Sequence, residues 1–432
     1  MHKRASVLRG IVAGTVAIGL TTGVVAVTTR SDASPAIGHV VSTNPADFTP
    51  NINDGAVFKT AETGGVLYAG GSFTSVTIPP GTPPPPGTTA GTVKRLRMVA
   101  FSTGNGLVSG TFAPVFNGEV WAIAISGNSL YAGGTFSTVN GIARRGLVKL
   151  DRITGAVDTR FDARLTGNVT DAVIAAGRLL IAGTSAKKMM GLSLASGGDT
   201  GYINVAFSGT VAPNAGASQV YRFAVSPAGN RLVAVGNFVG VNGLRHARVV
   251  MLNLAANATV STWHYAPTAQ MCADAGLPDY MRDVDFSPDS AYFVTVSTGF
   301  VANPGQTGLA LCDAAARFET TNLAPSRPTW INYTGGDTLH SVAVTDQAVY
   351  VQGHQRWLNN PQGRDSAGPG AVERPGIGAL SPSTGLALST WNPTKDRGVG
   401  GKDLLVTGHG LWVSSDTTHI GGEVHGRIAL LP

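Results

Sequence analysis

Internal repetition constrains this chain more than any other property. The segments VFKTAETGGVLYAGGSFTSV, from Val57, and VWAIAISGNSLYAGGTFSTV, from Val120, share one frame. In both, an alternating apolar run meets a glycine-containing turn and then Leu-Tyr-Ala-Gly-Gly-(Ser/Thr)-Phe. Period-two alternation is the pattern of a strand with one buried face, and a Gly turn between two such runs marks a hairpin. More worn copies begin at Val169, Val220, Met281, Leu339 and Leu404, which makes seven in all.

Each copy continues in the same order. A loop leads to a third apolar run, such as RRGLVKLD from Arg144, HARVVMLN from His246 or RPGIGALS from Arg374. A tight Thr-Gly turn follows, then a fourth run ending on Phe48, Phe112, Phe161, Phe207, Trp263, Trp330 or Trp391. Four antiparallel strands recurring in this way are the signature of propeller blades. The expectation is an all-β, seven-bladed β-propeller of four-stranded antiparallel blades, a single domain over residues 37–432. The chain stops at RIALLP, equivalent to a third strand, while residues 40–50 (VVSTNPADFTP) read as a fourth strand lacking the three before it. Donated to the last blade, that N-terminal strand closes the ring and leaves no open edge. Composition agrees: Gly is 57 of 432 residues and charged residues are 13%, where about 25% charged is usual. A coiled coil or an acidic disordered tail needs more charge, and collagen needs a three-residue Gly period that is absent.

Residues 1–36 read as a signal peptide. Lys3, Arg4 and Arg9 precede an apolar run over 10–27, and Ser34 and Ala36 fit a signal-peptidase site; an uncleaved membrane anchor is the alternative. Cleavage removes four basic residues (Lys3, Arg4, Arg9, Arg30) and one acidic residue (Asp32), taking the formal charge from +6 to +3. A chain so near neutrality is not a nucleic-acid binder by charge. The two cysteines, Cys272 and Cys312, sit in no C-x-x-C motif, and in an exported protein they are expected to form a disulfide. The excess of Arg (23) over Lys (8) resembles the usage of high-GC bacteria.

The blade text over residues 130–163, LYAGGTFSTVNGIARRGLVKLDRITGAVDTRFDA, resembles the delta-60 type β-propeller repeat of exported bacterial proteins. Phe286-Ser-Pro-Asp289 and Val225-Ser-Pro-Ala228 are similar to a turn of the wider Trp-Asp and YVTN-like propeller superfamily. The resemblance implies the fold and an interaction surface, and it implies no particular reaction.

Propellers bind ligands where the innermost strands converge. Aligning the seven first strands gives one near-axis ring of Phe58, Trp121, Asp171, Tyr221, Arg282, His340 and Lys402. The next ring reads Lys59, Ala122, Ala172, Arg222, Asp283, Ser341 and Asp403. Aromatics mixed with both signs of charge suit a polar pocket with stacking platforms for a sugar or peptide. The competing reading is a plug in which Arg282 or Arg222 pairs with Asp283 or Asp403. His340 is the candidate acid or base, its ordinary pKa near ~6.5 suiting proton transfer, with Arg282 or Lys402 to hold an anionic intermediate. His409, His419 and His425 have no metal-ligand spacing. The expected function is a secreted or cell-surface binding and scaffold module for a protein or glycan, monomeric, with no cofactor, although a divalent metal stays open. It would meet a membrane only through an uncleaved leader. A propeller lyase or hydrolase is the alternative.

Overall fold

A computed structural model describes residues 37–86, 88, 91–211, 216–269, 272, 279–300 and 309–432. The leader over residues 1–36 lies outside the described residues. Seven antiparallel meanders follow one another along the described chain. Their first strands are Val57–Thr63, Val120–Ser126, Val169–Ala175, Gln219–Val225, Met281–Phe286, Leu339–Val344 and Asp403–Thr407. Second strands return through tight turns: in the first meander Gly64 and Gly65 have φ of +58° and +73°, the two left-handed positions a type I′ hairpin requires. Third strands, such as Met98–Ser102 and Leu147–Asp151, complete each meander.

Apolar clusters lie between successive sheets rather than within one. Ala61, Tyr68 and Met98 of the first meander pack with Ile123, Leu130 and Val148 of the second. Corresponding clusters join the second to the third, the third to the fourth, and so on to the sixth and seventh. One more unites Trp412, Ile428 and Leu430 of the seventh with Val57, Leu67 and Phe101 of the first. Face-to-face meanders with side-by-side first strands form a β-propeller.

The outer strands depart from expectation. Among the described residues, regular fourth strands occur only in the fourth and fifth meanders, Ala258–Val260 and Trp330–Tyr333. Elsewhere the outer segment keeps a single bridge, Phe101–Val108, Leu150–Val157, Leu192–Asp199 or Leu380–Ala387, and then leaves the ladder. In the first, second and sixth meanders the terminal aromatic turns inward to meet the tyrosine of its own blade edge-on, whereas Phe207 of the third meets Phe238 of the fourth. Tyr68–Phe112, Tyr131–Phe161 and Tyr350–Trp391 have centroids 5.2, 5.4 and 5.3 Å apart, each such pair worth about 0.5–1.5 kcal/mol beyond burial. Pro114 and Pro393 then offer no N–H to resume pairing.

Residues 40–50 likewise form no regular strand. They run beside the last strand, Ile428–Leu431: Ser42 N–H donates to the Pro432 carbonyl (2.6 Å) and Ala46 N–H to the Leu430 carbonyl (2.9 Å). Pro45, between them, lacks a donor, so a continuous ladder cannot form. Cys272 and Cys312 are disulfide-bonded, with Cα atoms 5.8 Å apart. Among the described residues no helix is long and apolar enough to cross a membrane.

Candidate functional site

A repeated backbone irregularity builds the axial site. Six first strands carry a one-residue bulge at one point: Val57/Lys59, Val120/Ala122, Val169/Asp171, Val220/Arg222, Met281/Asp283 and Leu339/Ser341. A bulge re-aims the extra side chain. The second glycine of the repeated frame permits the bulge, because a Cβ on Gly71 or Gly134 would lie 1.9 Å from the carbonyl oxygen of Ala56 or Glu119. The bulged residues Phe58, Trp121, Thr170, Tyr221, Arg282 and His340, joined by Lys402, wall an open cup of ≈ 900 Å³.

Six of the seven residues expected in the first ring line this cup. Asp171 does not; it sits one level deeper, and Thr170 takes its place. Counting back from the turn glycine displaces the third copy by one, because Gly177 follows Ala176 in its turn whereas Gly64 and Gly127 come first in theirs. Sequence reasoning also missed Glu119 and Gln219, which line the cup from the residue before each strand's first valine. Adding that position to the aligned rings would have found both.

Below the cup lies a charged layer. Lys59 Nζ is 3.3 Å from Asp403 Oδ1 and 4.0 Å from Asp171 Oδ1, and Arg222 reaches Asp171 Oδ1 at 3.4 Å. Asp283 belongs to the same layer, so two cations face three carboxylates. Each carboxylate also accepts a backbone N–H from the next blade: Asp171 from Phe223 (3.0 Å), Asp283 from Val342 (3.0 Å) and Asp403 from Thr60 (2.8 Å). Burial alone would lower the Arg222 pKa, but Asp171, Asp283 and Asp403 outweigh it and raise it. The plug therefore consists of Lys59 and Arg222 with these carboxylates. Arg282 is not part of it; it faces the cup.

On the cup wall Arg282 donates to the Tyr280 hydroxyl and to His340 Nδ1. Guanidinium has no acceptor, so Nδ1 supplies the lone pair and His340 carries its proton on Nε2. That Nε2 is buried without a partner, against Gly400, where a Cβ would approach it to 2.7 Å. Burial, then the charges of Arg282 and Lys402, hold the His340 pKa well below the usual histidine value. The imidazole is neutral, but its one lone pair is engaged by a cation. Tyr221 stacks on Tyr280 at 4.4 Å, and Trp121 donates its Nε1–H to Glu119 Oε2 (2.8 Å). Among the described residues no group of three or more His, Cys, Asp or Glu is placed to hold a metal ion.

Beneath the plug is a second well of ≈ 650 Å³ lined by Val173, Phe223, Val342 and Leu404 together with Asp285. Asp285 is half-buried and lines this well. Burial pushes its pKa up to about 7, opposed by the Val344 hydrogen bond and helped by repulsion from Asp283, and pushes that of Asp283 up to about 6 against the attraction of Arg222 and Lys59 and the Val342 hydrogen bond. A carboxyl raised above its unfolded value near ~3.9 keeps its proton in the native state where the unfolded chain has lost it. Its contribution therefore weakens as pH rises from about 4 to about 7. Asp285→Asn, which retains an acceptor for Val344, is expected to melt above the parent by several degrees at pH 8 and level with it at pH 4. Parallel thermal melts check this; a constant offset across pH would overturn the assignment to Asp285.

No protein-family model and no curated protein sequence matches the chain. Among solved structures, the chain is similar to the RRP9 WD40 repeats and to U3-55K, each at a TM-score of 0.44 and 9% identity. The alignments cover 90% of this chain and 98% and 100% of those chains, respectively.

Proposed function

We propose that this chain is an exported, seven-bladed β-propeller acting as a non-catalytic binding module at the cell surface or outside the cell, with a glycan or protein seated in the axial cup. The closed ring is supported by the apolar cluster and the Asp403–Thr60 hydrogen bonds between the last and first meanders. The Ser42–Pro432 and Ala46–Leu430 bonds support residues 40–50 as the completing edge of the seventh blade. A disulfide persists in an oxidising compartment, which favours export.

One observation carries the functional reading: the cup is blind. Its floor is a paired ionic layer, its wall offers Phe58, Trp121 and Tyr221, and the lone pair of its one histidine is engaged by Arg282. Aromatic faces beside a few convergent polar groups recognise a ligand; a general base needs a free lone pair within reach of a proton. On a glycan array the purified protein is expected to bind a defined subset of glycans, and Trp121→Ala to lose at least about tenfold in affinity with its melting temperature unchanged. Turnover of an array ligand, abolished by His340→Gln, would replace this reading with the lyase or hydrolase.

A further inference from the structure

Order around the axis sorts the cup into two halves. The first, second and fourth blades contribute Phe58, Trp121 and Tyr221, and the fifth, sixth and seventh contribute Arg282, His340 and Lys402, so Trp121 stands across the ring from Arg282 and His340. The layer below provides the contrast. There Lys59 has a carboxylate at 3.3 Å and Arg222 one at 3.4 Å. In the cup, among the described residues, neither Arg282 nor Lys402 has a carboxylate within the 4.0 Å of an ion pair. Glu119, the carboxylate lining the cup, is turned onto the Trp121 indole. Burial lowers the Lys402 pKa and Arg282 lowers it further, while Asp416 and Glu119 oppose from a distance. Two half-buried cations that repel each other are a cost the fold avoids one layer deeper, where it supplies counter-ions.

From this division we infer that the cup binds a carboxylated pyranose, a uronic-acid-type sugar at the end of a glycan, with its carboxylate between Arg282 and Lys402 and its C–H face on Trp121. The inference rests on the binding-module reading and names its ligand class. A carboxylate meets Arg282 in the charge-assisted geometry that guanidinium favours, and it relieves the repulsion between the two cations. The C–H face of a pyranose is apolar and covers an indole, while Thr170, Gln219 and Glu119 line the same cup and supply polar groups for its hydroxyls. A blind floor accepts a chain terminus and stops a polymer from threading. An acidic peptide could satisfy the cations, but its extended backbone needs a strand edge or groove to pair with. Each first strand leaves one edge toward the axis, but six of the seven are broken by a bulge at the level of the cup, so no regular edge is offered there.

The test titrates the full chain with D-glucuronate, its neutral methyl ester and a short glutamate peptide, read by ligand-observed NMR and indole fluorescence. Glucuronate is expected to bind at least about tenfold tighter than the ester, with added salt narrowing the gap. Lys402→Gln, at a residue whose ammonium makes no side-chain hydrogen bond among the described residues, and Arg282→Gln are each expected to erase the preference; should Arg282→Gln fail to fold, Lys402→Gln decides. Equal affinity for acid and ester would overturn the anion site and leave the cup as a neutral-glycan site. Binding of the peptide but not of glucuronate would overturn the ligand class. No binding of either sugar, alongside array hits lost in Trp121→Ala, would sink the inference while sparing the binding module; a blank array as well would sink both.

Discussion

A chain beginning at Asn51 is expected to lose cooperative structure throughout, not to fray at one end. Residues 40–50 make hydrogen bonds to both the sixth and the seventh meanders. Ser42 and Ala46 donate to the final strand, Val41 N–H donates to the Tyr350 hydroxyl (2.9 Å), and Trp391 Nε1–H donates to the Val41 carbonyl (2.8 Å). Thr49 Oγ1 pairs with His425 Nδ1 at 3.0 Å. Val41 is 2% exposed within the cluster between the sixth and seventh meanders, and Phe48 packs against the cluster joining the seventh to the first. At about 1 kcal/mol net per hydrogen bond and about 2 kcal/mol per buried side chain, the segment contributes on the order of 5–10 kcal/mol, comparable to a whole domain's stability of about 5–15. In an open array of repeats, removing an end affects chiefly its neighbour. In a closed ring no blade is an end, so hydrogen exchange should accelerate even at Leu179–Ala182 of the third meander, far from the cut. A shortened chain whose third meander stays protected, with an unchanged melting temperature, would refute the closed ring.

Much of this architecture is legible in the sequence because the frame repeats. The alternating runs from Val57 and Val120, the Gly turns and the Leu-Tyr-Ala-Gly-Gly words each mark a structural need: a buried face, a left-handed turn, and room for a neighbouring sheet. Gly70 shows the last of these, since a Cβ there would meet Val120 Cγ1 at 2.6 Å. The terminal aromatics were legible as core, and Trp263 is fully buried between the fourth and fifth meanders. Less legible was anything decided across the axis. Period-two alternation cannot report a bulge, so Thr170 rather than Asp171 reaches the cup. Nor does spacing reveal that Arg282 turns toward His340, 58 residues away, instead of toward its neighbour Asp283. The fourth strands were overread because an apolar segment ending on an aromatic looks the same whether it pairs along its length or leaves the ladder to bury its ring.

Asp403→Ala should destabilise the protein by about 3–5 kcal/mol, the usual consequence of breaking a buried, hydrogen-bonded charge, and the partner substitutions show why. Asp403 is 5% exposed, and its Oδ2 accepts both the backbone N–H (2.8 Å) and the hydroxyl (2.7 Å) of Thr60, itself 1% exposed. Its Oδ1 holds Lys59 at 3.3 Å. Alanine orphans two buried donors, each costing about 1–3 kcal/mol, and removes the carboxylate 3.3 Å from Lys59. Removing one of three carboxylates that face two cations also eases their mutual repulsion, so the charge effects partly cancel and the hydrogen bonds dominate. Asp403→Asn, which keeps an oxygen for Thr60, is therefore expected to cost less than half as much in urea melts. Asp171→Ala supplies the control. It removes the corresponding bond between the third and fourth meanders, to Phe223 N–H at 3.0 Å, in a part of the chain that is interior on any topology. If the seventh and first blades meet as the third and fourth do, the two alanine substitutions cost the same within about 1 kcal/mol. If the ring is instead an arc with free ends, Asp171→Ala remains severe while Asp403→Ala is nearly silent. Comparing the two therefore weighs the seam directly, without deleting any residue from the chain.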